Sequence, residues 1–104
     1  MKVTKKEELE IIKRLSDRKY NFIDANGKLL FDKWFVWAGS FYNGFARVKR
    51  ANGEYNYIDT KGKILSSEWF RYADYFDEYD LAEVYRTNGE QCKIDKNGKI
   101  VVRK

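Results

Sequence analysis

The chain predicts an all-β repeat domain of antiparallel hairpins with a short N-terminal capping helix. Three observations carry that expectation. One stretch is written three times: Tyr20-Asn21-Phe22-Ile23-Asp24-Ala25-Asn26-Gly27-Lys28, then Tyr55-Asn56-Tyr57-Ile58-Asp59-Thr60-Lys61-Gly62-Lys63, then Gln91-Cys92-Lys93-Ile94-Asp95-Lys96-Asn97-Gly98-Lys99. The Ile-Asp and Gly-Lys pairs recur every 35 to 36 residues, the mark of a repeat architecture. Within each copy the pattern has a period of two, as strands require. The copies are punctuated by Gly, Asn and Asp, while proline is absent, so these residues must make the turns.

Residues 4–17 read as the helix. Thr4 and Glu7 have capping-box spacing. Leu9, Ile12 and Leu15, joined by Ile11 and Val3, form a narrow apolar stripe, and Lys13 and Arg14 lie near the end where cations favour the helix dipole. This gives a cap over residues 1–17 and a repeat domain over 18–104, with repeats of about 19–54, 55–90 and 91–104.

From Lys19 onward the elements are hairpins. Asp24-Ala25-Asn26-Gly27 is a turn in which the aspartate bonds its own backbone and Asn-Gly accepts positive φ. Leu29-Leu30-Phe31 starts the return. Phe45-Ala46-Arg47-Val48-Lys49 is a strand, turned into Tyr55 by Ala51-Asn52-Gly53-Glu54. The next copy turns through Thr87-Asn88-Gly89-Glu90. Between hairpins, Trp34/Trp69, Phe35/Phe70, Ala38/Ala73 and Phe41/Phe76 match at a shift of 35, and Ala46/Ala82 and Val48/Val84 at 36. One extra residue therefore lies near Tyr79-Asp80, where the first repeat has Gly44. The repeated Trp34 and Trp69 are expected in the core. The Tyr20/Phe22 and Tyr55/Tyr57 face becomes Gln91/Lys93 in the last copy, as expected of a terminal repeat.

These motifs, an aromatic-x-x-Ala-x-x-Phe run, then Ala-x-Val, then Asn-Gly-Glu before an aromatic strand ending Ile-Asp-x-x-Gly-Lys, resemble the WG-repeat family over roughly residues 18–104. The Trp-Gly pair that names the family reads Tyr20-Asn21, Tyr55-Asn56 and Gln91-Cys92 here. Asn follows Gly most readily into left-handed backbone, so Asn21 and Asn56 are expected to keep that conformation, for which Cys92 is less suited. The resemblance implies a β-rich array used for interaction and supplies no catalytic residues.

Composition narrows function. No histidine is present, which removes the commonest general base and metal ligand. The single cysteine, Cys92, forbids an intrachain disulfide and reads as a small buried side chain in a reducing cytoplasm. No run approaches the roughly 18 apolar residues of a membrane helix. The reading is a non-enzyme without cofactor, metal or membrane partner. The net charge of +5 is uneven, since residues 51–90 sum to −5.

The leading candidate surface is the acidic, tyrosine-rich segment 72–85: Tyr72, Asp74, Tyr75, Asp77, Glu78, Tyr79, Asp80 and Glu83. Its spacing fits no calcium loop, whereas acids interleaved with tyrosines suit docking on a basic protein. The bland alternative is a solvated loop with inward tyrosines. A second candidate, for nucleic acid, is Arg47, Lys49 and Arg50 with Trp37 and Tyr42, although Arg50 points away from the other two cations. A third is homodimerisation at an open edge near Ile100-Val101-Val102. The expected function is a non-enzymatic protein-binding repeat module. A chain rich in Lys, Asn, Ile and Tyr suits an AT-rich bacterial or phage genome, where a small binder could inhibit a host or defence protein.

Overall fold

A computed structural model describes residues 9–103. Nine strands follow one another: β1 (Glu10–Arg14), β2 (Lys19–Ile23), β3 (Trp37–Ala38), β4 (Phe45–Lys49), β5 (Tyr55–Asp59), β6 (Tyr72–Phe76), β7 (Ala82–Tyr85), β8 (Gln91–Ile94) and β9 (Ile100–Arg103). They form three antiparallel sheets ordered β1-β2, β3-β4-β5 and β6-β7-β8-β9. Successive sheets are joined by paired backbone bonds, Tyr20 with Phe35 and Tyr55 with Phe70. The mainly β, antiparallel expectation holds.

The capping helix does not. No helix occurs among the described residues; Thr4 and Glu7 lie outside them, and Glu10–Arg14 is a strand. Ile12 pairs with Asn21 as Val48 pairs with Asn56 and Val84 with Cys92. β1 thus occupies the place of β4 and β7 and continues the array upstream. A lone short helix is marginal in water, whereas the strand covers an edge of β2 that would otherwise present unpaired backbone. Leu15, assigned to the helical stripe, is 83% exposed at the hairpin tip.

Six turns share one geometry. Residue i donates its amide to the carbonyl of i+4 and accepts from the amide of i+3, at Asp24, Arg50, Asp59, Asp77, Arg86 and Asp95. The fourth residue has positive φ and is glycine in five of them; in the sixth it is Asp80, at φ 61°. The shorter first-repeat counterpart is the two-residue turn Asn43-Gly44, positive at both φ, as hairpins favour. The extra residue near Tyr79-Asp80 is the difference between these two turn types.

Packing repeats as well. Tyr20 and Phe22 pack with Ala38, Ala46, Val48 and Ile58; Tyr55 and Tyr57 pack with Ala73, Ala82, Val84 and Ile94. The aromatic face of each sheet thus meets the small aliphatic face of the next. In the last sheet the aromatic positions are the half-buried Gln91 and Lys93. Trp34 and Trp69, expected in the core, are half-buried, beneath guanidinium groups: Arg14 Cζ lies 4.3 Å from the Trp34 ring centroid and Arg50 Cζ 4.4 Å from that of Trp69.

The Asn of the Tyr-Asn pair does not supply left-handed backbone, since neither Asn21 nor Asn56 has positive φ. Each is fully buried and clasps the connector to the next sheet. Asn21 Nδ2 donates to the carbonyls of Phe31 and Lys33 at 2.9 and 3.2 Å, and Asn56 Nδ2 to those of Ser66 and Glu68 at 2.9 and 3.3 Å. The chain peels away from β2 and β5 because an amide supplies those bonds. Cys92 has no such group, and β9 stays paired alongside β8, with Arg103 opposite Cys92.

Candidate functional site

The segment 72–85 begins with a strand that is not regular. Ala73 pairs with Val84 and Phe76 with Ala82, so β6 holds one residue more than β7 between those pairs. A bulge of this kind re-aims side chains. Ala73 and Phe76 both point inward, while Asp74 and Tyr75 are both exposed. The bulge is held from two sides. Asp74 Oδ1 accepts from the Tyr75 amide at 2.8 Å. The Asp74 carbonyl accepts from the buried Tyr57 hydroxyl, and burial keeps that hydroxyl protonated far above its ordinary range.

The remaining candidates divide into turn parts and surface. Asp77 is a turn aspartate like Asp24, Asp59 and Asp95: its Oδ1 accepts from the amides of Tyr79 and Leu81 at 2.8 and 3.1 Å. Those bonds hold its carboxyl below the usual carboxylate range. Asp80 supplies the positive-φ position and pairs with Lys96 at 3.2 Å, next to Asn43, which receives the same ammonium at 2.9 Å. Glu83 is half-buried and accepts from Gln91. Glu78 is exposed, and Tyr72, Tyr75 and Tyr79 are exposed by 40%, 52% and 74%. Asp77 and Asp80 are exposed as well, so the outward surface comprises Tyr72, Asp74, Tyr75, Asp77, Glu78, Tyr79 and Asp80, with the bulge and the turn setting its shape.

The rival basic set is interleaved with this surface. Arg47 Cζ lies 4.1 Å from the Tyr75 centroid and 5.4 Å from that of Trp37, and its Nη1 donates to the Ala73 carbonyl at 3.1 Å. Lys49 Nζ sits 5.1 Å from the Tyr55 centroid. Arg50 pairs with Glu54 at 2.6 Å. Tyr42 meets Tyr75 edge-on at 5.4 Å. Trp37, Tyr55, Tyr72 and Tyr85 continue as a ladder of edge contacts at 6.0, 5.4 and 6.3 Å. Arg47 and Lys49 thus brace rings, and Arg50 is paired with the carboxylate of Glu54.

Between Tyr42 and Tyr75 lies a cleft of about 630 Å³ lined by Ser40, Phe41, Tyr42, Asp74, Tyr75, Phe76 and Asp77. Its first-repeat members were outside the acidic segment read from sequence. The signal that leads to them is the shift of 35, which aligns Gly39-Ser40-Phe41 with Asp74-Tyr75-Phe76. No group of three or more Cys, Asp or Glu placed to hold a metal ion occurs among the described residues.

Sheets linked by short bridges, identical turns at a fixed interval and a repeated face-to-face packing rule define a β-hairpin repeat protein. The family model described as WG containing repeat matches residues 22–55, one period from β2 to the start of β5, which supports the resemblance to WG-repeat proteins over that stretch. No curated protein sequence gives a significant match to it.

Proposed function

We propose that this chain is a non-enzymatic protein-binding module whose contact surface is the tyrosine- and acid-bearing face of β6 and its turn, together with Tyr42. The observation that carries the reading is the bulge at Asp74-Tyr75. It turns two consecutive side chains outward beside the exposed Tyr72 and Tyr79. Tyrosines offer large amphipathic contact area with few rotatable bonds, and exposed carboxylates among them favour a basic partner surface. Such a module acts by occupancy, so an inhibitor role in a bacterial or phage setting would consist of covering a partner's surface. The nucleic-acid alternative is weaker because Arg47, Lys49 and Arg50 already engage Tyr75, Tyr55 and Glu54.

The test is affinity capture with mass spectrometry, comparing the wild-type chain, Y75A/Y79A and a control changed at the exposed Thr87. A partner retained by wild type and control but lost from Y75A/Y79A is expected; equal capture by all three would overturn the assignment. Labelled single-stranded and duplex oligonucleotides, titrated at two salt concentrations, should show no salt-dependent binding at micromolar protein.

A further inference from the structure

Resting on the protein-binding reading above, we infer that the cleft between Tyr42 and Tyr75 receives an arginine or lysine side chain from a basic peptide segment of the partner. Four of its lining side chains are aromatic, two are aspartates and none is cationic. At about 630 Å³ it falls within the roughly 300–1,000 Å³ typical of ligand sites. Tyr42 and Tyr75 stand at 70° to one another, two walls of a corner, and aromatic faces attract cations through the ring quadrupole. Asp74 and Asp77 each commit Oδ1 to backbone amides, leaving Oδ2 as the oxygen for a ligand. Of the nearby cations, Arg47 stacks on Tyr75 at 4.1 Å while donating to the Ala73 carbonyl, Lys93 acts on Asp77 through its charge, and Lys96 bonds Asn43 and Asp80. The charged side chains that line the cleft itself are its two carboxylates.

The geometry also favours a side chain on a peptide over a free amine. A second recess of about 290 Å³ shares Ser40, Phe41 and Tyr42 and extends to Leu9, Asn43 and Gly44. The surface beside the cation corner is thus elongated, with the partly buried Phe41 and Leu9 along it. A stretched segment can place its cation at Asp74 and Asp77 while its flank lies along this wall.

The test uses the full chain and a fluorescein-labelled peptide alternating arginine and serine, compared with the same peptide carrying uncharged, near-isosteric citrulline. Fluorescence anisotropy should detect the arginine peptide only, with affinity falling as salt rises. Two variants localise the site. Asp74→Asn keeps the oxygen that receives the Tyr75 amide and removes the charge; Tyr75→Ala removes a wall. Each should weaken binding about tenfold, with near-ultraviolet circular dichroism showing that the fold is kept. Equal binding of the two peptides, or wild-type affinity in both variants, would overturn the inference. If partner capture depends on Tyr79 but not on Asp74 or Tyr75, the cleft is wrong and the protein-binding reading stands. Capture indifferent to all three would overturn both.

Discussion

Replacing Asn56 with alanine should remove the clasp that directs the chain from the second sheet to the third. The side chain is fully buried. It donates to the carbonyls of Ser66 and Glu68 at 2.9 and 3.3 Å and accepts from the amides of Tyr57 and Ser66 at 2.8 and 3.2 Å. Each such bond has a net worth of about 0.5–1.5 kcal/mol, and a buried group left unpaired costs about 1–3 kcal/mol. Ser66 and Glu68 are half-buried, so water recovers part of the loss, and a destabilisation of about 3 kcal/mol is expected. For a domain of this size that lowers Tm by roughly 12–24 °C. Urea unfolding followed by tryptophan fluorescence measures it directly, Trp69 lying next to Glu68 in the connector. The reciprocal change, Cys92→Asn, places an amide where β9 already completes the ladder and should destabilise by about 1–2 kcal/mol. A loss below about 1 kcal/mol in Asn56→Ala, or a gain in Cys92→Asn, would refute the clasp.

Three further outcomes are expected. Gly62 has φ +85°, and an added Cβ would come within 2.4 Å of the Leu30 carbonyl oxygen of the preceding repeat. Gly53, at φ +91°, has open space, so thermal melts should show Gly62→Ala losing well over the roughly 1–2 kcal/mol of left-handed strain expected for Gly53→Ala. Asp80→Gly trades left-handed strain for loss of the exposed Lys96 pair, itself worth about 0–1 kcal/mol; Tm should be unchanged or raised, and a clear fall would show that the Asn43-Asp80-Lys96 contact is structural. The carboxyls of Asp77 and Asp95 are held below their ordinary value of 3.8, chiefly by backbone hydrogen bonds. Their contribution is therefore present above the unfolded pKa and lost as pH falls through the lower folded values. Urea midpoints measured from pH ~5 to ~2 should decline along this course, with a shallower slope in Asp77→Asn/Asp95→Asn, which keeps the acceptors without the titration.

The downstream repeats were legible because their turns are locally encoded: Asp24, Asp59 and Asp95 each bond their own turn's amides. The upstream strand was hidden by a competing local signal. Thr4, Glu7, Leu9 and Ile12 spell a helix start, yet applying the shift of 36 to Val48-Lys49-Arg50 lands on Ile12-Lys13-Arg14. Asn21 and Asn56 were misread because a side-chain bond to a residue ten positions on leaves no local pattern. At the candidate site, strict alternation would put Asp74 and Tyr75 on opposite faces; only the register shift in β6 shows them together. The stacking of Arg47 on Tyr75 is likewise a long-range contact, and it merges two surfaces that separate segments made look distinct.

One feature of β5 reaches beyond packing. Tyr57 and Ile58 are adjacent, yet Tyr57 belongs to the buried cluster shared with the third sheet and Ile58 to the one shared with the first. In a one-dimensional array, stability is close to a sum of unit terms and nearest-neighbour couplings, and here part of each coupling runs through neighbouring residues of one strand. Unfolding should therefore proceed inward from the ends. Native-state hydrogen exchange should show β1 amides opening first and β4 and β5 amides only with global unfolding. Cutting the Ile58 side chain to alanine should weaken the coupling of the first sheet to the second and so broaden the unfolding transition.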